Sequence, residues 1–343
     1  MNKATPGHRQ QFQAGFKAFL SDLNARFPAG NGRTTIKVPT GGGISWALED
    51  DAVVCYLPVA HLERNLQTNE GAAPFFALGL AFWSQELRLQ PRRAMVVLTG
   101  SSTDSKAKCL HRRRGYFILE NLAAILPDRF QFIAKAGEEG WAWPERPVIN
   151  KEIDSRTKEG SKREHVLEMR LASNGPWTRS FPCDSPLGRW SRQFPLGLFD
   201  GRVSVRTTWT PRGASQVDLW STSDLGKTLH LFELKAEKNA HVGILAEVFY
   251  YALFVESLRT GLKDGRRIDG GADGAAATRK ARTVVMWLIA PEFHPLVYRA
   301  GRSPLAWIND ALGKTGPQFR IMPFKIDDGV PDGARWLPGR AWP

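Results

Sequence analysis

The chain has 343 residues, a length that gives two domains or one large one. Hydrophobic residues make up 42% and charged residues 24%, which excludes an intrinsically disordered chain and lets a core form without disulfides. Lys and Arg number 47 against 34 Asp and Glu, a net charge of +13 with Arg outnumbering Lys about two to one; this balance favours an anionic partner, because guanidinium groups take phosphates bidentately and stack on bases.

Residues 7–27 are expected to form a helix, with Phe12, Phe16, Phe19, Leu20 and Leu23 at helical spacing. Strand-like runs follow at 34–39 and 52–59, with Thr40-Gly41-Gly42-Gly43 as the turn between them. A mostly apolar helix is expected at 72–87, then a strand at 93–100, a helix at 112–126 and a strand at 129–134. This alternation indicates an α/β layer. Residues 135–163 are rich in Gly, Glu, Lys and Pro with little periodicity, and a linker is placed near 140–160. Beyond it the pattern predicts a strand at 203–209, a hairpin at 216–235, a helix at 240–258, a strand at 283–290, a helix at 304–312 and a strand at 319–325. The stretch 259–282 is expected to be a mobile loop. Its Arg259, Lys263, Arg266, Arg267, Arg279, Lys280 and Arg282 are suited to phosphates or simply to solvent. The fold class is thus α/β, with a separate N-terminal α/β module over 1–145 and a second α/β domain over 160–343. No repeat of 20–50 residues is visible in the sequence.

Cys55, Cys109 and Cys183 are odd in number and far apart, with no CxxC pair, which argues against a zinc ribbon and a secreted disulfide scaffold. The N-terminal segment lacks the apolar core of a signal peptide. The longest uncharged apolar stretch, 71–85, contains Pro74 and falls short of the ~20 residues that span a bilayer. A soluble, cytoplasmic protein without membrane association is expected.

The segment Gln216–Glu256 carries the most chemistry. Asp218 sits between Val217 and Leu219 in a strand, a turn-forming stretch follows, and the chain returns as Leu229-His230-Leu231-Phe232-Glu233-Leu234-Lys235. Alternation along a strand puts Glu233 and Lys235 on one face and Phe232 and Leu234 on the other. The hairpin can bring Asp218 near both, although composition does not fix the register. Charges on an apolar strand are costly unless they pair or bind a metal. Asp and Glu oxygens suit Mg²⁺, which commonly takes one or two carboxylates and keeps several waters. The bland alternative is an exposed ion-pair row on an edge strand, with Glu247 facing solvent.

Asp218, followed fifteen positions later by Glu233-Leu234-Lys235, resembles the D…ExK core of the PD-(D/E)xK, or restriction-endonuclease-like, nuclease superfamily. In the next helix Glu247-Val248-Phe249-Tyr250-Tyr251 is similar to the QxxxY motif of RecB-type nucleases, with Glu in place of Gln. The similarity covers about residues 195–290. It implies a mixed central sheet with flanking helices in the C-terminal domain. It also implies Asp218, Glu233 and the carbonyl of Leu234 as ligands of Mg²⁺ or Mn²⁺, Lys235 as the group that activates water, and Glu247 and Tyr251 as supporting residues on one helical face. Val217 stands where the pattern has Pro, and the upstream acidic residue is not obvious. Glu164, His165 and Glu168 are the candidates.

Other motifs point less far. The tripeptides Gly226-Lys227-Thr228 and Gly313-Lys314-Thr315 lack the glycine five positions earlier that a phosphate-binding loop needs; Ser221 and Ile308 stand there. His230 shares the Phe232 face and is expected to pack. His241, near a helix start, is expected to be solvated. The basic cluster His111-Arg112-Arg113-Arg114 heads a helix and fits either phosphate or a wet helix face. Trp209 and Trp220 flank the hairpin and are expected to pack against it.

The expected function is metal-dependent phosphodiester hydrolysis, with DNA ahead of RNA as substrate, in phage defence, restriction or DNA repair. The expected partner is nucleic acid, with a protein partner or homo-oligomer compatible. The N-terminal module fits recognition of nucleic acid, of a partner or of an infection signal. The alternative is a non-catalytic nucleic-acid-binding module on the same fold, and a further one is a structural subunit for an acidic protein.

Overall fold

Runs of strand-forming and helix-forming residues alternate along a computed structural model of the chain, giving a mixed α/β protein with three sheets among the described residues. The structure describes residues 6–27, 35–64, 68, 70–100, 106–134, 140–150, 168–169, 172, 186–188, 190–211, 216–235, 241–262, 264–315 and 319–325. Two compact units result: one of Met1–Trp141, His241–Glu247 and His294–Ile308, the other of Ala142–Ala240, Val248–Phe293 and Asn309–Pro343. The first unit therefore starts as the expected module does but takes in two later segments.

In the first unit helix α1 (Pro6–Arg26) precedes a hairpin of β1 (Ser45–Glu49) and β2 (Ala52–Pro58), the short helix α2 (Val59–Leu62), helix α3 (Ala73–Glu86), strand β3 (Arg93–Thr99), helix α4 (Lys106–Ile125) and strand β4 (Phe130–Ile133). The sheet order is β1-β2-β3-β4, antiparallel at β1–β2 and parallel beyond. Helix α3 is buried from Ala73 to Ser84, as a helix apolar on every side must be. Phe16 stacks on Trp46 at 5.6 Å and Phe27 packs on Trp83 at 4.6 Å.

The strand expected at 34–39 is not formed by its described residues, 35–39. Both backbone groups of Ile36 are taken by one side chain: its N–H donates to Asn24 Oδ1 at 2.6 Å, and Asn24 Nδ2 donates to its carbonyl at 3.2 Å. A backbone satisfied locally in this way has no ladder to offer. The strand lies ten residues later, at β1.

In the second unit a small sheet holds β5 (Pro147–Ile149) between β10 (Asp269–Gly270) and β7 (Leu198–Asp200). The larger sheet has the order β12-β11-β9-β8-β6, with β6 at Ser191–Pro195, β8 at Gln216–Ser223, β9 at Thr228–Leu234, β11 at Thr283–Ala290 and β12 at Phe319–Lys325. Strands β6, β8 and β9 form an antiparallel meander; β11 and β12 run parallel to β9. Helix α6 (Ala272–Lys280) also lies in this unit, whereas α5 (Gly243–Thr260) and α7 (Leu305–Thr315) begin in segments of the first unit, His241–Glu247 and His294–Ile308, and continue in the second.

Three expectations change here. The strand expected at 203–209 is a loop after β7. The linker near 140–160 contains β5; residues 151–160 lie outside the described residues. The stretch 259–282 is not a loop throughout but holds β10 and α6. Gly270 and Gly271 make that entry possible, with φ of +83° and +68° and room for no side chain: a Cβ on Gly271 would lie 2.1 Å from Ile149 Cδ1. Among the described residues no helix is long and apolar enough to cross a membrane.

Candidate active site

The β8–β9 hairpin sets the register that composition left open. Its ladder runs from Ser223–Thr228 to Leu219–Phe232, and the next pair in the same register is Asp218 and Glu233. At this point a side chain takes over from the ladder: the Leu234 N–H donates to Asp218 Oδ2 at 2.7 Å. The following amide, Lys235 N–H, donates to Ile289 O at 2.8 Å on the β11 side. Lys235 Nζ lies 2.6 Å from Glu233 Oε1. Asp218, Glu233 and Lys235 thus meet at the C-terminal end of β9.

β9 is the middle strand of its sheet, and Glu233 is 3% exposed. An exposed ion-pair row on an edge strand does not describe these residues. Phe232 and Leu234 join Trp190, Leu219, Trp287 and Ile289 in one hydrophobic cluster, so alternation puts Glu233 on the opposite face. The Lys235 side chain is 21% exposed and holds its ammonium on the buried carboxylate.

A hairpin continued by two parallel strands in the same spatial order also occurs in the first unit, from β1 to β4. There the hairpin register closes on Ser45–Tyr56, and β2 ends Cys55-Tyr56-Leu57-Pro58 with no charge. Nothing in this order of elements demands carboxylates or an ammonium at the end of the second hairpin strand. The residues of the second unit are particular to it.

The remaining predicted residues are less closely gathered. Glu247 is partly buried on α5 between buried neighbours, and Tyr251, one turn on, is buried. Glu247 belongs to the first unit and Tyr251 to the second, so only Tyr251 shares a unit with Asp218 and Glu233. Glu164 and His165 lie outside the described residues. Glu168 is buried and accepts from Arg192 Nε at 2.9 Å. Arg192 stands opposite Leu219, on the face of the Phe232 cluster, and Glu168 is tied to that cation.

A hard divalent ion fits this donor set within limits. Asp218 commits Oδ2 to an amide and Glu233 commits Oε1 to an ammonium, and a carboxylate has about four lone-pair sites. Two carboxylates with a nearby main-chain carbonyl are what Mg²⁺ takes when water completes its shell. Among the described residues no three His, Cys, Asp or Glu side chains gather as a cage, so these residues do not build a wholly protein-ligated centre such as structural zinc requires.

Gln193 is a residue the sequence did not single out. The β6–β8 register pairs Arg192 with Leu219 and Phe194 with Val217, which leaves Gln193 opposite Asp218. Its φ is +58°, a left-handed conformation inside a strand. The alternation of β6 switches there: Trp190 packs on Phe232, whereas Phe194 meets Trp220 edge-on at 5.9 Å. Leu219 and Trp220, adjacent in β8, point to opposite faces. Local strain of this kind gathers beside functional sites, and no feature of Ser191-Arg192-Gln193 announces it. Because φ is positive, ordinary strand preference reverses. Gln193→Gly is expected to leave stability unchanged or raise it by up to about 1 kcal/mol, and Gln193→Val to lower it by about 1–2 kcal/mol. Urea midpoints decide; a Val variant as stable as the Gly variant would sink the assignment.

The basic clusters prove to be largely structural. Arg259 pairs with Glu256 at 2.5 Å. Arg266 donates to the Pro144 and Glu145 carbonyls at 2.6 and 2.7 Å, and Arg279 to the Ile268 carbonyl at 3.0 Å. Arg267, Lys280 and Arg282 are exposed, and Lys263 lies outside the described residues. In α4, Arg112 lies 3.3 Å from the buried Glu63 carboxylate and Lys108 3.9 Å from it. Gly226-Lys227-Thr228 closes the β8–β9 turn and Gly313-Lys314-Thr315 ends α7, so neither is a phosphate-binding loop.

Comparison with protein-family models, with curated proteins and with solved structures finds no match. The chemistry of the site accordingly rests on its own residues. Cys55 is buried, and burial pushes its thiol far above the usual range, which makes it inert. His230 is buried, with its pKa lowered to about 4 by desolvation. It accepts from Trp287 Nε1 at 3.1 Å and meets Ser223 Oγ at 2.8 Å, a packed role as its position on the Phe232 face implies.

Proposed function

We propose that the second unit is a nuclease domain of the PD-(D/E)xK type that hydrolyses phosphodiester bonds with Mg²⁺ or Mn²⁺, on DNA ahead of RNA. The observation that carries this reading is the in-register placement of Asp218 beside Glu233 at the end of the central strand, with Lys235 on the Glu233 carboxylate. Its mixed sheet with helices on either side in sequence is compatible with the restriction-endonuclease-like arrangement.

Asp218, Glu233 and the Leu234 carbonyl would hold the ion, which when bound polarises the scissile phosphate and makes water a better nucleophile. Lys235 supplies a positive charge beside the place where the transition state gathers negative charge, and its ammonium orients the attacking water. Asp218, fixed by the Leu234 amide, keeps its carboxylate aimed at the end of β9. Tyr251 supports the site from α5. Phage defence, restriction and DNA repair are the settings such an activity would serve.

A second reading, a nucleic-acid-binding module without catalysis, is favoured by one observation: both carboxylates already have a structural partner in the Leu234 amide and Lys235. Purified protein incubated with plasmid, linear duplex, single-stranded DNA and RNA in EDTA, Mg²⁺ or Mn²⁺ separates the two. Cleavage by the wild type in metal alone, lost in Asp218→Asn, is expected. That variant retains an oxygen for the Leu234 amide and should fold as the wild type does. Salt-sensitive binding without cleavage under any metal would decide for the module.

A further inference from the structure

The connection after β7 is built as a projecting finger. Its base is the bridge between Phe199 and Thr208, flanked by Asp200 N–H to Thr207 O at 2.9 Å and Trp209 N–H to Leu198 O at 2.8 Å. Its tip is tied internally: Ser204 Oγ and Thr207 Oγ1 lie 2.8 Å apart, Thr207 N–H donates to Ser204 O at 3.2 Å, and Thr208 Oγ1 donates to Ser204 O at 3.0 Å. The outer residues Arg202, Val203, Val205 and Arg206 are exposed.

Four large apolar side chains are exposed among the described residues, and two of them, Val203 at 50% and Val205 at 90%, share this one tip. Such exposure is unfavourable in water unless something covers it, and a hydrogen-bonded turn holds the side chains out at little further entropic cost. Arginines stand on both sides of the valines, in a chain of net charge +13. An anionic partner with an apolar recess between its charges is complementary to that pattern. Duplex nucleic acid has this form: phosphate rows border a groove floored by sugars and base edges, and proteins that enter the minor groove pair basic side chains with apolar ones.

We propose that Arg202–Arg206 is a groove-entering finger for duplex nucleic acid, with Arg202 and Arg206 on phosphates and Val205 against sugar and base edges. As the assignment of a substrate class it rests on the nuclease reading, but duplex binding is measured separately from cleavage. The finger leads through 212–215 into β8 and Asp218, so the element that grips the duplex lies in the same unit as the proposed site.

Anisotropy of a short fluorescent duplex in EDTA, across a KCl series, tests it with wild type, Arg202→Ala and Val205→Ser. Arg202→Ala is expected to weaken binding and to reduce the slope of log K against log salt by about one. Val205→Ser is expected to weaken binding about threefold to tenfold with the slope unchanged. Both should melt as the wild type does. Wild-type affinity and slope in both variants would overturn the finger, as would absence of duplex binding by the wild type or equal competition by single strands. A concentration-dependent dimer abolished by Val205→Ser would overturn it in favour of a second copy as occupant. Finger-dependent binding without metal-dependent cleavage leaves the finger and removes the nuclease. Asp218-dependent cleavage with unchanged binding by the finger variants does the reverse.

Discussion

Lys235→Ala is expected to lose about 10²–10³-fold or more in cleavage rate and to lose stability as well. The resemblance in sequence implies a catalytic role for the residue, and its 2.6 Å contact with a carboxylate that is 3% exposed gives it a structural one as well. Removing the cation from a buried pair costs more than removing both partners, because the remaining charge keeps its desolvation penalty. Lys235 is partly exposed, so the cost is set below that of a wholly buried pair, at about 1–3 kcal/mol. The double variant Glu233→Gln/Lys235→Ala removes both charges and is expected to recover most of that loss while remaining inactive. Urea midpoints and single-turnover cleavage on wild type, both single variants and the double variant complete the cycle. Full cleavage by Lys235→Ala removes the residue from the mechanism. A single variant as stable as the wild type removes the buried pair from the energetics.

The candidate site was legible because its residues contradict their surroundings. Asp218, Glu233 and Lys235 bring charge to a hairpin whose two strands are otherwise uncharged, and alternation alone assigns Glu233 and Lys235 to one face. What the sequence withheld was the register, which depends on where the Asp224–Gly226 turn closes. Helix α6 was not legible for a different reason. Ala272–Lys280 is small and polar, without an apolar stripe to give a helical period, and its start depends on two left-handed glycines fitted against Ile149. Ile36 looked like a strand residue by type, but Asn24, twelve positions away, takes both of its backbone groups. Glu168 could be recognised as an acidic candidate but not as the partner of Arg192, since that pairing crosses 24 positions of chain. In each case the missing information is non-local, whereas residue type and alternation are local.

His230 gives the fold an expected acid sensitivity with a defined sign. An indole nitrogen only donates, so the Trp287 N–H requires a lone pair on His230 Nδ1, and the ring proton resides on Nε2, donated to Ser223 Oγ. Protonation of Nδ1 would set two donors against each other inside a buried stack of Phe232, Trp287 and the imidazole. Burial lowers the folded pKa from 6.5 to about 4. Between those values the unfolded chain binds a proton that the folded chain does not, so stability rises with pH across the window. The contribution is complete above about pH 6.5 and is lost as the pH falls towards 4, to a total of roughly 3 kcal/mol. His230→Gln keeps an acceptor and a donor but does not titrate. Urea midpoints from pH 7.5 downwards should therefore fall more steeply for the wild type than for His230→Gln, with the two curves converging as the pH approaches 4. Parallel curves over that range would show that the imidazole is not held neutral by its partners.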